Sequence, residues 1–252
     1  MAFSNGYIFG FAGTICVVCS LLVSSAAVNL KPIQDLNKER DRKANILVAL
    51  GLAEEGQKLP GEEVDSLWDD RVSVKVIKAD GSDADASSDM NGDGAVDIVD
   101  AELARAAAKG TGETPDLLAV YLRMDDGKVA STAIPVFGAG LWGPISGFLA
   151  LDESLETISG VTFFAPKETP GLGAEITSPK FKADWVNESI VNADGDFVAI
   201  SVAKGAVADK SADDTDHMVD GVSGATITCR GVTAMVEDGI NNYDAYLAMN
   251  RN

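Results

Sequence analysis

One histidine and three cysteines in 252 residues exclude a zinc site built from those ligands and a disulfide scaffold. Cations are scarce as well. Lys and Arg number 20 against 39 Asp and Glu, giving a net charge of −19 and an isoelectric point near 4.3. Such a surface repels a phosphate backbone, no basic patch interrupts it, and nucleic-acid binding is therefore not expected. With His217 alone, no nucleophile–His arrangement can be assembled, and no carboxylate pair marks a general acid and base. The first thirty residues lack charge of either sign, Lys31 being the first charged side chain. What remains is 46% hydrophobic, enough to bury one good core.

The uncharged stretch is the first positive feature. After a short tail, residues 1–6, nearly every residue from Tyr7 to Val28 is apolar or small, and 22 such residues in a helix rise roughly 33 Å, a bilayer's width. Ser24-Ser25-Ala26-Ala27 could pass for a signal-peptidase site, but the run is long and no basic residue precedes it, which favours a retained anchor over residues 7–28. Cys16 and Cys19 within it read as packing residues. Lys31, Lys38, Arg40, Arg42 and Lys43 follow, and by themselves they argue for a cytoplasmic location of what comes next. Residues 29–71 read as a charged helical connector with apolar positions at Ile46, Leu47, Leu50 and Leu52.

Residues 72–252 read as an α+β domain, an antiparallel sheet with flanking helices. Val72 to Ile77 alternates like a strand, Leu117 to Leu122 is a second, Asp125-Asp126-Gly127 is a hairpin turn, and Val129 to Val136 returns. Leu149 to Asp152, Ile158 to Phe164 and Phe197 to Ala203 supply further strands, and Gly231 to Met249 carries apolar residues at helical spacing.

Residues 79–112 form an insertion between the first two strands. Counting Asp89 as position one, side-chain oxygens fall at positions 1, 3, 5, 9 and 12 (Asp89, Asn91, Asp93, Asp97, Asp100), with Gly94 at 6 and the Ala95 carbonyl at 7. That is the spacing of an EF-hand calcium loop, and the short Asp at position 12 is similar to dockerin loops. Ca²⁺ here would staple the insertion.

Three glycine-rich stretches remain. In Asp220-Gly221-Val222-Ser223-Gly224-Ala225-Thr226, small residues allow a tight turn just ahead of a helix, where backbone N–H groups favour an anion. Ser223 and Thr228 are neighbouring hydroxyls that the spacing alone does not set apart from Thr226. Gly138-Ala139-Gly140-Leu141-Trp142-Gly143 packs glycines around one tryptophan, suiting a flat partner or a turn pinned by a core ring. Glu168-Thr169-Pro170-Gly171-Leu172-Gly173 is a Pro-Gly turn that presents Thr169 and Leu172 from one loop. Lys204, after the Phe197 to Ala203 segment, is a candidate cation for a phosphate.

The three stretches, in their order along the chain, resemble the covalent-FMN domain family, whose members include the NqrC subunits of the sodium-translocating NADH:quinone oxidoreductases (Nqr) and the flavin-bearing RnfG subunits of the Rnf electron-transport complexes. Gly140-Leu141-Trp142 is similar to the Nqr branch and favours it over the Rnf one. The resemblance implies FMN joined by a phosphoester to Thr226, installed by a flavin transferase whose recognition pattern includes Asp220, with Asp220, Gly221, Ser223, Gly224 and Ala225 among the cofactor-binding residues. It implies flavin contacts from Trp142, Thr169, Leu172, Gly173 and Lys204, and no catalytic acid or base. It further implies a single-pass subunit of the bacterial cytoplasmic membrane with its domain on the periplasmic side, against the charge count. The work implied is electron relay between an iron–sulfur centre and a flavin on neighbouring subunits, inactive in isolation. Partners are then those subunits, the transferase and membrane lipid. A different class stays open on the residues alone, an anchored calcium-dependent binding module.

Overall fold

Helix α1 (Asn5–Ala49) runs unbroken from the apolar stretch into the charged one, carrying Pro32 within it. The computed structural model describes residues 4–209 and 217–251 of the chain. These form two compact units, divided in sequence between Arg42 and Lys43. In the first, the apolar part of α1 exposes Phe9, Phe11, Leu21, Leu22 and Val23 along its length, and it is long and apolar enough to cross a membrane. Two of its polar side chains bond within the helix: Thr14 Oγ1 donates to Gly10 O (2.9 Å) and Asn29 Nδ2 to Ser25 O (2.8 Å). A helix in lipid needs that arrangement. Where charge begins, Lys31 pairs with Asp35 at 3.3 Å, one turn on.

The second unit is built on a five-stranded antiparallel meander in chain order. Its strands are β1 (Val72–Lys78), β2 (Leu117–Asp125), β3 (Lys128–Ala139), β4 (Pro144–Asp152) and β5 (Ile158–Phe164). Both faces are covered, which is why β2 reads as an unbroken apolar run: Leu118, Val120 and Leu122 enter one core layer, while Leu117, Ala119 and Tyr121 enter the other. The second layer holds Ile46, Ala49 and Leu50 at the end of α1, Trp68 of helix α2 (Gly61–Arg71), and Ala101 and Ala104 of helix α3 (Ile98–Ala108). Residues 29–71 are thus two helices with a turn at 50–60 between them, and the apolar positions Ile46, Leu47 and Leu50 are buried. A short helix α4 (Pro179–Ala183) brings Phe181 and, just beyond it, Trp185 against Phe163.

The long helix α5 (Thr226–Asn250) lies on the first layer, burying Val232, Met235, Val236, Ile240, Tyr243 and Leu247 at helical spacing. Three glycines let it come close to β3. A Cβ on Gly138 would stand 2.7 Å from Met235 Cβ, one on Gly239 would stand 2.5 Å from Val136 Cγ1, and one on Gly231 would overlap the Ala139 carbonyl oxygen. Tyr243 Oη, wholly buried, donates to Ala119 O at 2.8 Å and ties the helix to β2.

One expected strand is corrected. Phe197 to Ala203 forms regular structure only at β6 (Ser201–Val202), which pairs in parallel with β7 (Met218–Val219). Its apolar residues are set by burial and not by a ladder. Ile200 and Ala203 are in the core, while Val198 N–H bonds to Ile190 O and Val202 N–H to the Thr233 hydroxyl.

Candidate functional site

The three glycine-rich stretches meet at the N-terminal end of α5. Thr226 opens that helix with its side chain exposed, preceded by Gly224 in the left-handed region (φ +76°). No side chain caps the helix at Ala225. The N-terminus of a 25-residue helix is therefore without a side-chain cap, and the helix dipole favours negative charge there. Arg230, exposed one turn later, lies on the same side at i+4. Thr228 is different: it is 1% exposed and its hydroxyl donates to Glu168 Oε2 at 2.7 Å. Of the hydroxyls left open by spacing, Ser223 is exposed in the preceding turn, Thr228 is occupied, and Thr226 alone stands on the exposed first turn of the helix.

Glu168 joins the other two stretches to this helix. Its carboxylate is buried and accepts the Trp142 backbone N–H at Oε1 (2.8 Å) as well as the Thr228 hydroxyl at Oε2. Gly140 N–H closes the tryptophan turn onto Gly143 O at 2.8 Å. The loop after Glu168 turns at Gly171 (φ +77°), whose N–H is held by Glu175, and Leu172 N–H and Ala174 N–H both reach Thr169 O. Leu172 reaches Gly224, where an added Cβ would come within 2.8 Å of its Cδ2. Gly173 is buried beneath the loop, and Thr169 is exposed on it. The outcome is a rim of uncovered apolar side chains, Leu141, Trp142, Leu172 and Ile227, with Trp142 65% exposed. A flat aromatic ring system on a phosphate fits these residues: apolar walls for the ring, and a helix terminus for the phosphate.

Gly221 presses on the turn after β6, its N–H bonding Gly205 O at 2.8 Å, so Lys204 is exposed beside the Asp220–Thr226 turn. Asp220 does not face the rim. Its carboxylate accepts Val207 N–H at 2.8 Å and braces the 203–209 connection. His217 holds Ser189 O through Nδ1 at 2.7 Å and takes no part in the rim. Burial raises the pKa of the Cys229 thiol, an inert neighbour in the helix. Sequence reasoning missed Glu168 and Thr228 as partners, 60 residues apart. The available signal was limited to an acid two residues ahead of a Pro-Gly turn.

The Asp89–Asp100 loop lies elsewhere in the unit, and its donors are not gathered as expected. Among the described residues no group of three or more His, Cys, Asp or Glu side chains is placed to hold a metal ion. The reason is local. Like-charged carboxylates repel, and each turns to a backbone N–H: Asp89 to Gly92 and Gly94, Asn91 to Asp93, Asp93 to Ala95, and Asp97 to Val99. Asp100 is fully buried and accepts from Met90, Asn91 and Asp97. The Asp97 N–H, with the other two, holds its carboxyl below the usual range despite burial. Ala95, expected to offer its carbonyl, joins the loop through its N–H to Asp93.

Comparison with known proteins agrees with this geometry. Residues 140–241, from the tryptophan turn into α5, match the FMN-binding domain family. The NqrC subunit of the Na(+)-translocating NADH-quinone reductase from Pseudomonas aeruginosa is 39% identical over 242 residues, covering 93% of this chain and 91% of that protein. Its counterpart in Haemophilus ducreyi is 33% identical, covering 93% and 90%. The crystal structure of the corresponding subunit from Parabacteroides distasonis superposes with a TM-score of 0.68 at 29% identity, covering 86% of this chain and 96% of that one.

Proposed function

The chain belongs to the NqrC family of Na(+)-translocating NADH-quinone reductase subunits, and from that premise we propose that it is a flavin electron-relay subunit carrying FMN on Thr226. The observation that carries this reading is the exposed Thr226 hydroxyl at an uncapped helix terminus, with Trp142 and Leu172 uncovered on adjoining turns. When bound, FMN supplies reversible electron transfer, which needs no general base from the protein. The chain's own residues bind and orient. The first N–H groups of α5 offset the phosphate charge, with Arg230 and Lys204 as nearby cations, while Leu141, Trp142, Leu172 and Ile227 keep water from the ring. Asp220, Gly221, Ser223, Gly224 and Ala225 form the turn that a flavin transferase would read, and Gly224 lets it pass Leu172. A phosphoester keeps the flavin in place in both redox states.

Helix α1 anchors the chain, and we infer a single pass of the bacterial cytoplasmic membrane with the second unit on the periplasmic side. Its partners would be the subunits bearing an iron–sulfur centre and a second flavin, and the chain alone would not reduce quinone. The NqrC relatives favour this over an Rnf role, and the FMN-binding match favours it over a plain binding module. Coexpression with a flavin transferase tests it: wild type should show a fluorescent band on a denaturing gel and Thr226→Ala none. A fluorescent Thr226→Ala band would contradict the attachment site.

A second proposal concerns Asp89, Asn91, Asp93, Ala95, Asp97 and Asp100, whose spacing favours one Ca²⁺ that would displace their N–H contacts. Calcium should then raise the melting temperature of wild type and not of Asp89→Ala. Superimposable curves with and without calcium would remove the proposal.

A further inference from the structure

Glu168 is a buried carboxylate to which electron relay assigns no task. It is 6% exposed, and among the described residues no Lys or Arg pairs with it. Such a group is costly to bury without a cation, so what its two oxygens hold must repay the burial. They hold two segments that lie far apart in sequence. Oε1 takes the Trp142 N–H at 2.8 Å and Oε2 takes the Thr228 hydroxyl at 2.7 Å.

The glycines around it fit the same purpose. A Cβ on Gly140 would stand 2.5 Å from Oε1, and one on Gly173 would overlap Oε2 and lie 2.6 Å from the Thr228 hydroxyl. Neither glycine needs a left-handed backbone. Their missing side chains make room for the carboxylate, so the acid and the two glycines act as one device.

We propose that Glu168 is a positioning residue: a strut that fixes the Trp142 turn and the Thr169–Gly173 loop against the first turns of α5. It sets where the indole of Trp142 and the side chain of Leu172 stand relative to the Thr226 hydroxyl. The strut is buried but belongs to neither apolar core cluster. Trp142 is 65% exposed and belongs to neither core cluster, whereas the seam between α5 and β3 is made by other residues. Removing the carboxylate should therefore loosen the rim and leave the fold standing. The glutamine variant should keep the geometry. Its amide oxygen accepts from Trp142 N–H, and its NH₂ donates to the Thr228 hydroxyl, which turns from donor to acceptor.

This inference rests on the flavin reading only for what is positioned, so its first test uses flavin-free protein. The full chain, carrying Thr226→Ala, is labelled with 5-fluorotryptophan, and the ¹⁹F resonances of Trp68, Trp142 and Trp185 are assigned by substitution. Glu168→Ala should narrow the Trp142 resonance and move it toward that of free tryptophan, with the other two unchanged. Gly140→Ala, which drives a methyl into Oε1, should do the same, and Glu168→Gln should restore the wild-type position. An unmoved Trp142 resonance in Glu168→Ala or Gly140→Ala overturns the strut, as does a Glu168→Gln protein indistinguishable from Glu168→Ala. Movement of all three resonances would mean a general structural role and overturns it equally. In protein loaded on Thr226, Glu168→Ala should lose the visible circular dichroism of held flavin, and Glu168→Gln should keep it. Undiminished dichroism with a freed Trp142 would refute the positioning of flavin while leaving the attachment itself untouched.

Discussion

Substituting Gly138 by Ala sets two effects of opposite sign against each other. Alanine stiffens the unfolded chain and suits a strand better than glycine, a gain of about 0.5–1 kcal/mol. The added methyl, however, would stand 2.7 Å from Met235 Cβ, 3.2 Å from its Cγ and 3.3 Å from Gly231 O. Carbon atoms rest about 3.5–4.0 Å apart, so β3 and α5 must separate by roughly 1 Å. No rotamer of Met235 relieves this, because its Cβ is fixed to the helix backbone. Overpacking of that kind costs about 1–3 kcal/mol, and an obstacle that cannot swing away belongs in the upper half of the range. The net expectation is a loss of about 1–2.5 kcal/mol, or roughly 2–10 °C in melting temperature for a domain of this size. Thermal unfolding of the full chain in detergent, followed by far-ultraviolet circular dichroism, reads it directly. A Gly138→Ala protein that melts at or above wild type would refute the close seating of α5 on β3. That seating matters to the site, because Gly138 leads directly into the tryptophan turn and Met235 lies on the helix that Thr226 opens.

Three further outcomes follow from the same contacts. Tyr243→Phe should cost about 1–2 kcal/mol, since it removes a buried donor from Ala119 O; an unchanged unfolding free energy would mean that the 2.8 Å bond contributes nothing. Gly224→Ala places a left-handed residue against Leu172 and should lower covalent flavin loading by the transferase, read as gel fluorescence per mole of protein; equal loading would show that the turn tolerates a side chain. Asp100 has a folded-state pKa below its unfolded value, so its stabilisation is full above about pH 4 and is lost as pH falls through the lower folded value. Melting curves against pH should therefore show a shallower acid limb in Asp100→Asn than in wild type, and identical limbs would dismiss the carboxylate's role.

What the sequence made legible was the part governed by local chemistry. The Asp125-Asp126-Gly127 hairpin could be read because its turn needs positive φ at two positions, and Asp126 and Gly127 adopt 51° and 77°. The strand pattern and the long helix followed from periodicity. Phe197 to Ala203 misled because an alternating apolar pattern does not itself report a ladder: only Ile200 and Ala203 of this segment are buried, three residues apart, in an irregular segment packed against the core. The bond between Glu168 and Thr228 was invisible because chain spacing carries no information about a contact made by two separate turns. Three glycine motifs could be recognised one by one, yet that two of their glycines yield space to one carboxylate appears only in three dimensions. The acidic loop shows the complementary limit: donor spacing was plain, while the competition for those oxygens by neighbouring N–H groups depended on how the backbone winds.

The central claim is a covalent bond at one residue, and peptide mass spectrometry of the chain purified from its native membrane tests it most directly. The account predicts that the peptide containing Thr226 is heavier by one FMN less one water, with fragment ions placing the addition on Thr226. The same peptide at its unmodified mass, or with the addition on Ser223 or Thr228, would contradict it.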